Sequence, residues 1–113
     1  MPRLSKLEID IQENVTAEAV KLSLIPLRIN VKGRKGWPDY GYLYMGRACL
    51  VEFKRPGEQP EPLQKYVHNI LNVAQIPTFV VDNESYGVTL LKEWKNGVDL
   101  ELARLRQSNH FNE

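Results

Sequence analysis

Leu4, Leu7, Ile11, Val15, Ala19 and Leu22 recur at steps of three and four residues, which predicts an amphipathic helix over the first part of the chain. Ser5 followed by Glu8 fits a capping box at its start. Pro26 ends the pattern, and Leu27, Ile29 and Val31 then alternate with Arg28, Asn30 and Lys32 as a half-buried strand does. A loop of glycine and charge, Gly33 to Asp39, leads into two strand-like runs, Tyr40 to Met45 and Ala48 to Lys54. Gly46-Arg47 between them offers a two-residue hairpin turn with glycine first. Arg55-Pro56-Gly57 breaks the second run.

A second helix is predicted from Pro62 to about Ala74, with Leu63, Val67, Ile70, Leu71 and Ala74 on its inner face. Pro77 to Asp82 is a short apolar run bounded by Pro and Asn, and reads as a buried strand. Ser85 to about Gln107 reads as two shorter helices separated at Asn96-Gly97, and Val98 to Leu105 is amphipathic enough to pack on the core or on a second subunit. The expected fold class is α/β, a central mixed sheet flanked by helices in the order αβββαβ with helices after it. All 113 residues are expected in one domain, because a second would be too small to hold its own core.

Composition narrows the class. At 42% hydrophobic and 26% charged residues, the chain is not a disordered, collagenous or coiled-coil sequence as a whole. Apolar runs of only a few residues, such as Phe79-Val80-Val81, exclude a membrane-spanning helix. The start, Met1-Pro2-Arg3-Leu4-Ser5-Lys6, lacks the apolar core of a secretory signal, and the single Cys49 forms no internal disulfide. Together these lead to the expectation of a cytoplasmic protein. No Gly-rich phosphate loop or dinucleotide fingerprint is present, so a nucleotide cofactor is not expected. The net charge of +1 is uninformative, but its distribution is not. From Arg28 to Arg55 seven basic residues face two acidic ones, a net +5 that leaves −4 for the rest of the chain. A basic central segment suits a polyanion such as nucleic acid.

The two acids in that basic segment are Asp39, directly after Pro38 at the start of the first hairpin strand, and Glu52, near the end of the second. Strand alternation puts Glu52 and Lys54 on one face and Val51 and Phe53 on the other. Pairing through the hairpin turn then brings Asp39 near both Glu52 and Lys54. Two carboxylates can hold a hard divalent cation, which acidifies a bound water and polarises phosphoryl oxygens. A neighbouring lysine can orient the attacking water and offset developing charge. The competing reading is a plain salt bridge from Glu52 to Lys54 or Arg55 at a strand end.

Gly36-Trp37-Pro38-Asp39, then Leu50-Val51-Glu52-Phe53-Lys54-Arg55-Pro56, then Pro62-Leu63-Gln64 opening a helix with His68, resembles the virus-type replication-repair nuclease domain (VRR-NUC) of the PD-(D/E)XK nuclease superfamily. The resemblance runs from about Glu8 to about Asp82, and the order of its three motifs is more specific than any one alone. It implies a PD-(D/E)XK nuclease-like core. It implies that Asp39 and Glu52 are metal ligands for Mg²⁺ or Mn²⁺, with the backbone carbonyl of Phe53 a further ligand and Lys54 the catalytic lysine. Gln64 matches the helix glutamine bordering such sites. Glu8 matches an acidic residue of the first helix, with completion of the capping box as its alternative. The family often has glycine after the second helix, where this chain reads Ala74-Gln75-Ile76-Pro77.

Lys32, Arg34, Lys35 and Arg55 surround the acidic pair in sequence and are candidate phosphate contacts, supplying affinity more than base specificity. Trp37 and the alternating Tyr40, Tyr42 and Tyr44 are read as packing residues, and His68 as a surface or capping residue. The expected function is a metal-dependent DNA endonuclease selective for branched DNA such as four-way junctions or flaps. A homodimer is implied by resemblance to stand-alone members and would pair two cuts. A non-catalytic nucleic-acid-binding module and a site-specific restriction-type endonuclease are the alternatives.

Overall fold

The computed structural model describes residues 2–112, and the side chains of residues 7–107. Helix α1 (Pro2–Lys21) leads into strands β1 (Ile25–Arg28), β2 (Tyr40–Tyr44) and β3 (Arg47–Phe53). Helix α2 (Pro62–Val73), strand β4 (Thr78–Val81) and helix α3 (Glu84–Asn112) follow. The four strands form one sheet in the order β1-β2-β3-β4, antiparallel except for the β3–β4 pair. A parallel pair needs a crossover, and α2 supplies it. The fold is therefore α/β with a mixed sheet, as the hydrophobic pattern indicates.

One sheet face carries Tyr42, Cys49, Val51 and Phe53, all fully buried, against Val15 and Ala19 of α1 and Leu91 of α3. The alternating tyrosines close this side. Tyr42 shares a 2.8 Å hydrogen bond with Thr16, and the Tyr44 hydroxyl donates to Asp99 at 2.8 Å. α2 lies over the opposite face with Val67, His68 and Leu71 turned inward. That inner stripe corrects the expected one, since Leu63 and Ile70 are about half exposed and align with Tyr66 and Val73 on an open apolar side. His68 is accordingly an interior residue, not a surface or capping one.

Four boundaries differ from the sequence reading for identifiable reasons. α1 begins ahead of Ser5, which therefore lies within the helix and is not its N-cap; the Ser5 side chain of the expected capping box falls outside the described residues. α1 ends at a left-handed Ser23 (φ 69°), where Ser23 N–H bonds to Val20 and Leu24 N–H to Ala19. That closure frees Pro26 to enter β1 instead of terminating a helix. The hairpin turn is Met45-Gly46, one residue earlier than Gly46-Arg47, because both residues adopt positive φ (50° and 78°) as a type I′ turn requires. Finally, α3 runs unbroken through Asn96-Gly97. Buried Leu91 and Val98 on either side hold it to the core, and tertiary packing overrides a weak helical dipeptide.

α2 ends in the same way as α1. Gln75 is left-handed (φ 65°), with its N–H bonded to Asn72 and the Ile76 N–H to Leu71. Glycine is the residue suited to this position, since a side chain there strains the backbone. Gln75→Gly is expected to raise stability by about 0.5–1 kcal/mol, measured by urea denaturation.

Candidate active site

The β2–β3 register fixes the geometry of the acidic pair. Tyr40 pairs with Val51, and one further step along both strands sets Asp39 opposite Glu52. Side chains so opposed have Cβ atoms roughly 4.5–5.5 Å apart. Asp39 is fixed from the other side too, because its carbonyl accepts the Ile29 N–H at 2.9 Å. The loop before it passes tightly under α2. Gly36 has φ 85°, and a Cβ there would sit 2.9 Å from Leu63 Cγ and 3.0 Å from the Leu63 carbonyl oxygen. Only glycine satisfies both demands.

Continued one residue more on each strand, the same register would set Pro38 opposite Phe53. The N–H groups of Leu50 and Lys54 bond to β4, so the backbone groups of Val51 and Phe53 point toward β2. Pro38 has no N–H, and the ladder therefore offers no donor to the Phe53 carbonyl. The Phe53 ring itself is turned the other way, into the core against Tyr40.

Glu52 is only 5% exposed, and its Oε1 is enclosed without a hydrogen-bond partner. Burial, then the negative charge of Asp39, push its pKa up to about 7, and Lys54 opposes them. Glu8 reaches the same field from α1, its pKa raised by burial and then by Asp39. Asp39 is exposed by area, yet burial of its carboxyl raises its pKa against the pull of Arg28 and Lys54. Lys54 thus sits where Glu8, Asp39 and Glu52 all feel its charge, with its Nζ 3.8 Å from Glu58. His68 Nε2 lies 3.9 Å from Glu52 Oε1 and is also enclosed and unpartnered. This is not an ion pair. The distance is too long for a hydrogen bond, and burial favours the neutral form of each group.

The structure thus brings together Glu8, Asp39, Glu52 and Lys54. Gln64 is placed differently, because its amide oxygen accepts the Glu61 N–H at 2.9 Å and caps the start of α2. Of the basic candidates, Lys32, Arg34 and Lys35 are exposed on the loop before Asp39, with the Arg34 guanidinium 5.9 Å from the Trp37 ring centre. Arg55 is taken up by Glu58 through two of its nitrogens. A groove of about 720 Å³ between α1 and β1 opens on the site and includes Glu8, Gln12, Arg28, Asn30, Asp39 and Tyr40 in its wall.

Two residues of this site were not singled out by the sequence, and a third, His68, was read as a surface or capping residue. Arg28 reaches the groove because β1 starts earlier than the alternation suggested. Glu58 returns to Lys54 and Arg55 only through the Pro56-Gly57 turn. His68 carried a legible signal, lying between Val67 and Leu71 on one helix face.

Among the described residues, no three His, Cys, Asp or Glu side chains stand close enough to hold a metal alone. The donor set that fits a hard divalent cation is instead two carboxylates plus a carbonyl. The observation that supports the fit is the chemistry of the donor set, a buried Glu52 carboxylate beside that of Asp39.

The raised pKa of Glu52 has a definite sign. Between the unfolded value of 4.5 and the folded value of about 7, the folded state holds a proton that the unfolded state has lost. Stability from this group is present below pH 4.5 and lost as the pH rises through 7. In EDTA, Glu52→Gln is expected to gain on the parent by on the order of 3 kcal/mol between pH 4.5 and pH 8, read by urea unfolding.

No protein-family model matches the chain, and no curated protein matches it.

Proposed function

We propose that the chain is a metal-dependent DNA endonuclease with a PD-(D/E)XK-type core of the VRR-NUC kind. The observation that carries the reading is the juxtaposition of Asp39 with the buried carboxylate of Glu52, at the end where β2 and β3 pair. A cluster in which Asp39 raises the pKa of both Glu8 and Glu52, on top of their burial, makes a poor structural salt bridge and a good cation site. Asp39, Glu52 and the Phe53 carbonyl would hold Mg²⁺ or Mn²⁺, with Glu8 on the opposite wall. When bound, such an ion acidifies a coordinated water and neutralises charge on the scissile phosphate.

The chain's own residues supply the rest. Lys54 orients the attacking water, whose oxygen forms the new bond to phosphorus as the bond to the leaving sugar oxygen breaks. Its ammonium also offsets charge on the phosphoryl oxygens as that exchange proceeds. Lys32, Arg34 and Lys35 would meet backbone phosphates beside the site, and Arg28 would do so from the groove. Gln64, held in the helix cap, would border the site, and Arg55, held by Glu58, would keep that carboxylate beside Lys54. A domain of this size has little surface for reading many base pairs, so branched DNA, such as a four-way junction or flap, is the substrate class. Two copies would be needed for paired cuts.

Cleavage of a labelled four-way junction, a flap and a linear duplex tests this directly. Cutting is expected with Mg²⁺ or Mn²⁺, none in EDTA, and a loss of at least about 100-fold in Asp39→Asn, Glu52→Ala or Lys54→Ala. Salt-sensitive binding without cutting would establish a binding module instead, and cutting of linear duplex at one sequence a restriction-type enzyme. Light scattering on the active protein checks the paired-cut version. A dimer is expected, and a strictly monomeric active protein rules that version out.

A further inference from the structure

Glu52 Oε1 and His68 Nε2 are the two enclosed side-chain atoms without a hydrogen-bond partner among the described residues, and they face each other at 3.9 Å. Each is a liability on its own terms, because an enclosed polar atom that leaves water without a partner destabilises the fold. An apolar residue at position 68 would extend the inner stripe of Val67 and Leu71 with no such defect. A buried imidazole instead of a hydrocarbon, aimed at a buried carboxylate, therefore calls for a role that hydrocarbon cannot fill.

Other donors are unsuited to Oε1. Lys54 leans to Glu58, and Gln64 is held in the helix cap. Of the two carboxylate oxygens, Oε1 alone is both enclosed and unpartnered. The gap of 3.9 Å exceeds an ordinary N–H···O bond by about 1 Å, so the contact requires a side-chain rotation that brings the two atoms together.

We infer that His68 is the positioning residue for Glu52: its Nε2–H donates to Oε1 and turns the other carboxylate oxygen toward the space shared with Asp39 and Lys54. The inference rests on reading Glu52 as a metal ligand. Outer-shell donors of this kind fix the orientation of a ligand that would otherwise rotate, and the affinity for the ion depends on them. His68 itself touches neither ion nor substrate.

Mn²⁺ titration of the metal-free full chain by calorimetry tests the assignment, with the metal-free melting temperature measured in parallel. His68→Leu, similar in bulk but without a donor, is expected to bind Mn²⁺ about 10–100-fold more weakly than the parent. His68→Gln, which keeps an N–H donor of similar reach, is expected to stay within about 3-fold. A purely structural role would move the melting temperatures and leave the Mn²⁺ affinity alone. Equal affinity in His68→Leu and parent, or equal loss in His68→Gln and His68→Leu, overturns the inference. If His68→Leu does not fold, His68→Phe keeps a ring without a donor and carries the same comparison. A parent that binds no Mn²⁺ overturns the metal reading of Glu52 and this inference together, whereas a parent that binds while every variant matches it overturns the role of His68 alone.

Discussion

The pairing register of β2 and β3 is the constraint on which the site depends. A two-residue turn at Met45-Gly46 sets which residues oppose one another from Tyr44–Arg47 to Tyr40–Val51. Beyond those pairs it aligns Asp39 with Glu52 and Pro38 with Phe53. A slip of one residue would turn every side chain of one strand to the other face. Glu52 would then enter the face now filled by Val51 and Phe53, and the Phe53 carbonyl would meet a residue with an N–H. The positive φ at both turn residues and the Tyr42 and Tyr44 anchors on α1 and α3 resist that slip.

The price of the arrangement falls on β3. Its last three residues, Val51, Glu52 and Phe53, are all buried, so a carboxylate sits in the middle of a strand covered on both faces. Burial and neighbouring Asp39 press Glu52 toward its neutral form, and Lys54 counters only in part. Such conflict between local preference and global fold is common where a chain places chemistry rather than stability. Glu58 belongs to the same balance, since it draws Lys54 and Arg55 together and holds both near the acidic cluster.

Much of this was legible in the sequence, and the parts that were not share a cause. Strand alternation sufficed to put Glu52 with Lys54 and to separate both from Val51 and Phe53. The hairpin brought Asp39 to them even though the turn was placed one residue late, because that error shifts the pairing by two residues, from Glu52 to Lys54, and so keeps the same face and strand end. Helix ends were misread where the terminating residue, Ser23, is not the glycine that usually announces a left-handed cap. The inner face of α2 was misread because Leu63 and Ile70 are apolar and yet face outward, while a histidine takes an interior place. Hydrophobicity marks what would prefer burial, and packing decides what receives it. Glu58 and Arg28 depend on loop paths and strand starts that no short periodic pattern encodes.

Pro26 has a consequence at the margin of the sheet. In β1 the Ile29 N–H turns inward to β2, and by alternation the backbone nitrogens of Pro26 and Arg28 point outward along the free edge. A proline there removes a donor from the row that an incoming strand would need. The edge nearest the acidic groove is thus a poor template for strand addition, which guards the sheet against runaway self-polymerisation. The groove beside it stays open along that same margin, because the edge that borders it recruits no further strand.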